Sequence, residues 1–181
     1  MDIWTSLGQF AFFESERLYF RPVTFSDRYD LYEIIGNPDN LRFVFPSTRS
    51  QSETDMFMVH YFMKEPLGVW AICDKNRDKC IGVIRFEKIN PQQQSAELGY
   101  FLNQKDWGQG LMTEAVASLV DLAFSGIGMK KIRLIAHLEN QASIRVAEKT
   151  GFRLVSRFKG ADRYTHTMRD YLCYEREESD E

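Results

Sequence analysis

The sequence predicts an α/β (α+β) domain, and three observations carry that expectation. A short apolar run, Glu97-Leu98-Gly99-Tyr100-Phe101-Leu102, stops at a polar loop holding Gly108 and Gly110 and leads straight into a long apolar helix. Segments of period two, such as Lys131 to Ala136, are interleaved with segments of helical spacing. Each boundary carries turn or cap residues, and no repeat or linker splits the chain. The 181 residues fit one domain, since domains run roughly 100–200 residues.

The elements follow in order. Residues 1–16 are apolar but aperiodic. Their first part, 1–13, reads as an arm packed on the body or in a contact between copies, and the domain proper reads as 14–176. Glu16 to Arg21 alternates and reads as a first strand, ended by Pro22. Ser26 caps a helix over about 27–36 with Asp27 in its first turn, and Gly36-Asn37-Pro38 stops it. Asn40 to Pro46 reads as an apolar loop. Ser50 or Ser52 caps a second helix reaching about Lys64, with Met56, Val59 and Phe62 at helical spacing. Val69 to Cys73 and Cys80 to Phe86 form a hairpin around the charged turn Asp74 to Lys79. Ser95 to Leu102 is the next strand. The helix after the glycines reaches about Phe124, with Glu114, Ser118, Asp121 and Ser125 as its polar stripe. Strand Lys131 to Ala136 precedes a short helix from Asn140 to Thr150, where Gly151 suits a left-handed C-terminal cap. Phe152 to Phe158 and Arg169 to Glu175 are the last strands, and 177–181 reads as a solvated, disordered acidic tail.

Composition narrows the function. A net charge of −3 argues against nucleic acid, which wants a basic face. Cys73, Cys80 and Cys173 form no CxxC pair and no metal spacing, so they read as reduced core thiols. No apolar run approaches the roughly 20 residues that span a bilayer, and Met1-Asp2-Ile3-Trp4 lacks a basic leader pattern. The expectation is a soluble, cytoplasmic protein without a membrane or nucleic-acid partner, monomeric or homodimeric.

Strand, glycine turn and helix make a phosphate cradle. The first N–H groups of a helix lack intrahelical partners and carry partial positive charge. Glycines without Cβ let a phosphate approach the backbone. No Lys-Ser/Thr follows the glycines and no third glycine of the dinucleotide type is present, so a nucleotide fold is the poorer reading.

Four blocks, in order, resemble one family: Arg17-Leu18 to Arg21-Pro22; Ile81-Gly82-Val83-Ile84; Glu97 to Leu102 continuing through Trp107-Gly108-Gln109-Gly110-Leu111-Met112-Thr113-Glu114-Ala115; and Asn140-Gln141-Ala142-Ser143 followed by Glu148-Lys149-Thr150-Gly151-Phe152. Together they resemble the GCN5-related N-acetyltransferases (GNAT), specifically the branch that acetylates N-terminal amines of ribosomal proteins. The resemblance spans roughly residues 14–175. It implies a mixed, twisted sheet of six or seven strands with about four helices, splayed at the fourth and fifth strands where the pantetheine arm of acetyl-CoA enters. It implies acetyl-CoA as co-substrate, no metal, and direct attack by an amine in a ternary complex. Lys105, Trp107, Gly108, Gln109, Gly110, Leu111, Met112 and Thr113 stand where the family holds the pyrophosphate; Trp107 suits a packing lid more than a ligand contact. Lys105 replaces the usual Gln or Arg three residues before the first glycine. Ala147 stands where many members place a tyrosine that reprotonates the thiolate, and the ribosomal-protein branch tends to lack that tyrosine too.

Acetyl transfer needs a neutral amine, a polarised carbonyl and a way to handle the thiolate. Glu97 is the candidate base, directly or through water; the plain alternative is a strand glutamate paired with a neighbouring Lys or Arg. Asn140 and Ser143, at i and i+3 on one helix face, are candidates for the pantetheine amide and, as acid or donor, for the thiol sulfur; plain capping is the alternative for Asn140. A backbone N–H on Phe101-Leu102 is the candidate for polarising the carbonyl. His137, three residues before Asn140 at a strand end, is a candidate base near pH 7; the plain reading is a hydrogen-bonded strand-end histidine. Phe43, Phe45, Trp70 and Arg85 are candidates for the acceptor groove, and Tyr164 is a reserve acid. The acceptor reads as a protein N-terminal amine, with a polyamine, amino acid or amino sugar as the alternative within enzymes and an acyl-CoA sensor as the alternative outside them.

Overall fold

The structure is a computed structural model that describes residues 1–180, with side chains through Ser179. Among the described residues it has eight strands in one sheet and five α-helices, one strand more than the upper expectation and one helix more. The strands are β1 (Phe13–Glu14), β2 (Leu18–Arg21), β3 (Val69–Asp74), β4 (Lys79–Asn90), β5 (Ser95–Leu102), β6 (Lys131–His137), β7 (Arg153–Ala161) and β8 (Met168–Glu177). The helices are α1 (Ile3–Gln9), α2 (Arg28–Ile35), α3 (Gln51–Met58), α4 (Leu111–Leu122) and α5 (Gln141–Lys149). The sheet order is β1-β2-β3-β4-β5-β6-β8-β7, antiparallel throughout except for β5 beside β6.

Alternation on each strand divides the core in two. Leu98, Leu102, Leu134 and Ala136 face α4, whose Val116, Leu119 and Val120 are fully buried. Phe101, Val83 and Ala71 face the other way onto Leu31, Ile34 and Ile35 of α2 and Met58 of α3. Burying one such Leu or Ile side chain contributes about 1.5–3 kcal/mol, so both faces of the central strands are committed to the core and their register is fixed.

Several boundaries differ from the sequence expectations for local reasons. The segment read as an aperiodic arm is helical: Asp2 caps α1 by accepting from the Thr5 N–H, and Ile3 and Leu7, one turn apart, are buried against the main core. Ser26 does not cap the helix at 28; Thr24 and Asp27 form a capping box around a single 3-10 turn, Phe25–Asp27, that leads into α2. Ser50 rather than Ser52 caps α3, accepting from the Glu53 N–H. Met56 is exposed, and Thr54, Met58 and Phe62, four residues apart, turn inward instead; a π turn over Val59–Met63 follows α3. The 177–181 segment is ordered where described: Glu177 closes β8 with its carboxylate 3.0 Å from Lys131 Nζ, and the Glu178 N–H donates to the Lys130 carbonyl. Residue 181 lies outside the described residues. No helix among the described residues is long and apolar enough to cross a membrane.

The feature that positions the site is where β5 and β6 part. They pair only from Ser95 with Lys131 to Leu98 with Leu134. Beyond Leu98, β5 stays with β4 as far as Leu102, while β6 stays with β8 as far as His137. The sheet therefore opens a wedge at the C-terminal end of β5, with the glycine loop at one lip and the N-terminus of α5 at the other.

Candidate active site

The glycine loop owes its shape to backbone handedness. Gly108 and Gly110 sit at φ 77° and 75°, a left-handed conformation that side chains disfavour by about 1–2 kcal/mol. Gly110 is the N-cap of α4 and brings no capping side chain, so the first-turn N–H groups face the loop uncapped by any side chain. A Cβ on Gly108 would meet nothing within 4 Å. Open space beside Gly108 and the uncapped first-turn N–H groups of α4 are a combination that could hold a pyrophosphate.

Arg17 is the residue at the cradle whose part there the sequence did not disclose. Its Nε lies 2.7 Å from Glu114 Oε1 and its Nη1 donates to the Gln109 carbonyl at 2.9 Å. Its Nη2 stands 3.7 Å from where a Gly110 Cβ would be. Glu114 also accepts from the Ser15 hydroxyl and the Arg17 N–H. Burial pushes the Glu114 carboxyl up, but these donors and the guanidinium outweigh it and hold it below the ordinary carboxylate range. The pair thus clamps β2 to the first turn of α4 and places a guanidinium at the cradle's edge.

The loop's other residues are braced rather than free. Trp107 Nε1 donates to the Leu102 carbonyl at 2.9 Å, with the ring half exposed over the loop. Lys105 Nζ is 2.9 Å from Glu33 Oε1, while Lys79 takes the other Glu33 oxygen at 2.8 Å. Lys79 and then Lys105, with Asn103, pull the Glu33 carboxyl down to about 2. Leu111 and Met112 are buried, so only their backbone faces the loop, and Thr113 is half-buried in the same turn.

At the wedge, the alternation of main-chain groups can be read from one bond. The Asn103 N–H donates to the Ile81 carbonyl at 2.8 Å. In a regular antiparallel ladder alternate residues face the same neighbour, so Phe101 presents its N–H and C=O to β4 while Tyr100 and Leu102 present theirs to the β6 side. Past Leu98 no β6 rung meets them. The Leu102 carbonyl is taken by Trp107, and the N–H groups of Tyr100 and Leu102 face the wedge. Of the expected Phe101-Leu102 pair, Leu102 is the one so oriented.

Across the wedge, Asn140 caps α5 by accepting from the Ser143 N–H at 3.2 Å, and its Nδ2 donates to Ser143 Oγ at 3.1 Å. Tyr100 Oη reaches over from β5 and donates to the same Ser143 Oγ at 3.1 Å. Ala147, one turn on from Ser143, is fully buried in the core. The hydroxyls at the wedge therefore belong to Ser143 and Tyr100.

Tyr100, Asn140 and Ser143 line a cavity of about 1090 Å³ that runs along the sheet between the α2–α3 loop, α3 and the β7–β8 loop. Phe43, Phe45, Arg85 and Tyr164 line it; Trp70 does not, being buried with its Nε1 donating to the Phe10 carbonyl at 3.1 Å. Phe45 stacks at a tilt on Phe57 at 4.7 Å and edge-on to Phe101 at 5.5 Å, and Phe57 stacks on Tyr61 at 4.4 Å. Glu97 also lines the cavity, paired with Lys88 Nζ at 2.8 Å. His137 accepts the Glu139 N–H at Nδ1, 3.0 Å, and lies between Phe43 and Tyr171. The Nδ1 acceptor is spent on that turn.

Comparison with known proteins agrees with this geometry. The acetyltransferase (GNAT) domain profile matches residues 17–153. The chain is 26% identical to the uncharacterized N-acetyltransferase YoaA of Bacillus subtilis over 147 residues, 79% of this chain and 83% of that protein. It is 30% identical to the ribosomal-protein-serine acetyltransferase of Escherichia coli over 99 residues, 55% of each. It is 24% identical to the spermidine N(1)-acetyltransferase of Escherichia coli over 134 residues, 73% of this chain and 70% of that one. In fold it is similar to a GNAT-family acetyltransferase from Bacillus anthracis, with a TM-score of 0.83 at 24% identity, covering 93% of this chain and 99% of the other. With the open wedge, the uncapped glycine-lipped helix and this profile in agreement, the chain belongs to the GNAT acetyltransferase family.

Proposed function

We propose that the protein transfers the acetyl group of acetyl-CoA to a protein N-terminal α-amine, and that the wedge and the aromatic cavity divide the two substrates between them. Acetyl-CoA supplies the activated thioester. The loop from Lys105 to Thr113 holds its pyrophosphate through Gly108, Gln109, Gly110 and the first-turn N–H groups of Leu111, Met112 and Thr113. The Arg17 guanidinium adds charge at the edge, and Lys105 turns from Glu33 toward the phosphate. Asn140 orients the pantetheine arm, and the N–H of Leu102 polarises the carbonyl. The amine nitrogen attacks that carbonyl carbon, the C–N bond forms, the C–S bond breaks, and the electron pair leaves on sulfur, where Ser143 donates a hydrogen bond. Glu97 takes the proton from the amine through a water, since its ion pair with Lys88 occupies one carboxylate oxygen. An α-amine has an ordinary pKa near 8, so a modest base suffices.

The observation that carries the choice of acceptor is the charge state of the cavity. Of its four carboxylates, Glu97 is paired with Lys88 at 2.8 Å and Glu87 with Arg85 at 3.6 Å, Asp162 accepts the Thr165 and Tyr164 N–H groups, and the exposed Glu65 stands apart from these pairs. A polyamine would need several uncompensated carboxylates. A chain terminus bearing one ammonium and an apolar first side chain matches aromatic walls better. Assays with N-terminal peptides and with spermidine, read by thiol release and by peptide mass, test this. Acetylation of peptides at the α-amine supports it, and efficient turnover of spermidine with none of peptides overturns it.

A further inference from the structure

Ser143 is placed at the thiolate by the reading above, but its position alone does not decide which way its hydroxyl proton points. A serine oxygen has two lone pairs and one hydrogen. Here both lone pairs face donors, Asn140 Nδ2 at 3.1 Å and Tyr100 Oη at 3.1 Å. The hydrogen is left the remaining tetrahedral direction, and all three residues line the cavity. With only one of these donors the hydroxyl would be free to rotate and spend its hydrogen elsewhere.

We infer that Tyr100 is a positioning residue for acetyl transfer: its phenol donates across the wedge to Ser143 Oγ and thereby commits the Ser143 hydrogen to the sulfur that leaves when the C–S bond breaks. The contact joins β5 to α5, residues 43 apart in sequence, at the point where β5 and β6 have lost their own pairing. It spans the wedge as well as orienting the hydroxyl. Desolvation pushes the phenol up to about 12, so it stays protonated, and stays a donor, through the neutral range. Tyr100 itself passes no proton to substrate in this account; the thiolate is stabilised by the Ser143 hydrogen bond and takes its proton from there or from solvent. The inference rests on the proposed function of the site.

The test is Tyr100→Phe, which removes the phenolic oxygen and keeps the ring, measured beside Ser143→Ala and the double variant in steady-state and single-turnover acetyl transfer. Loss of one oriented hydrogen bond predicts a kcat about three- to tenfold lower in Y100F. KM for acetyl-CoA should be nearly unchanged, and the melting temperature should fall by only a few degrees. In the S143A background the same substitution should cost nothing further, because the hydroxyl it acts through is gone. An unchanged kcat in Y100F overturns the inference, and so does an equal fall in both backgrounds, which would mark a packing role. Wild-type protein that binds acetyl-CoA yet acetylates no amine would instead overturn the proposed function, a result legible before any variant is made.

Discussion

At the scale of single residues, Gly108 separates cradle chemistry from fold stability. A methyl group there meets no neighbour within 4 Å, so Gly108→Ala costs the fold only the left-handed strain of about 1–2 kcal/mol. It does place a carbon where a phosphate would approach the backbone. The expected outcome is a KM for acetyl-CoA raised about tenfold, with kcat nearly held, as removal of uniform binding predicts. Unchanged KM would move the phosphate elsewhere. Glu97 makes a different prediction. Glu97→Gln lowers kcat most at low pH, where the acceptor amine is most protonated and a base matters most; a pH–rate profile superimposable on the wild type would remove it from that role. Residue types were legible at this scale, and contacts were not. Asn140, Ser143 and the glycines announce themselves by spacing along one helix or loop. Tyr100 with Ser143, and Arg17 with Glu114 97 residues away, announce nothing, because no local period links residues that only the sheet brings together.

At the scale of elements, the cradle is braced from outside by Glu33 of α2, which holds Lys79 of β4 and Lys105 of the loop together. These lysines hold the Glu33 carboxyl at about 2 in the fold, against an ordinary 4.5. A carboxyl lowered by folding contributes stability that is fully present above its unfolded value and is lost as pH falls through the folded one. Unfolding free energy should therefore fall between about pH 4.5 and 2, and Glu33→Gln should flatten that part of the curve; an identical acid limb in the variant would contradict the assignment. The strands were the most readable elements, because alternation in 131–137 and the apolar run of 95–102 are direct records of burial. The N-terminal helix was hidden because it is only seven residues long and its inward face is carried by Ile3, Ser6 and Leu7, too few to show a period. Loop bracing leaves no periodic trace at all.

At the scale of the whole molecule, α1 belongs to the body of the protein. Leu7 is fully buried and packs with the core cluster that holds α4. Leu7→Ala should cost about 2–5 kcal/mol, lowering the melting temperature by roughly 2–4 °C per kcal/mol for a domain of this size; a shift below 2 °C would mean that α1 is a detachable arm. The sheet was legible in its parts from sequence, but its order was not. That β8 inserts between β6 and β7, and that β5 and β6 run parallel for only four rungs, depends on long-range pairing that period-two patterns do not encode. That parting of β5 from β6 also frees the main chain of Tyr100 and Leu102 on that side and leaves room between them and α5, where the proposed site lies.

The most direct measurement mixes the protein with acetyl-CoA and N-terminal peptides carrying small or apolar first residues, alongside spermidine, and follows thiol release together with the mass of each acceptor. Stoichiometric thiol release with one acetyl group added at the peptide α-amine is the expected result. Release that requires spermidine and leaves every peptide unmodified would contradict it.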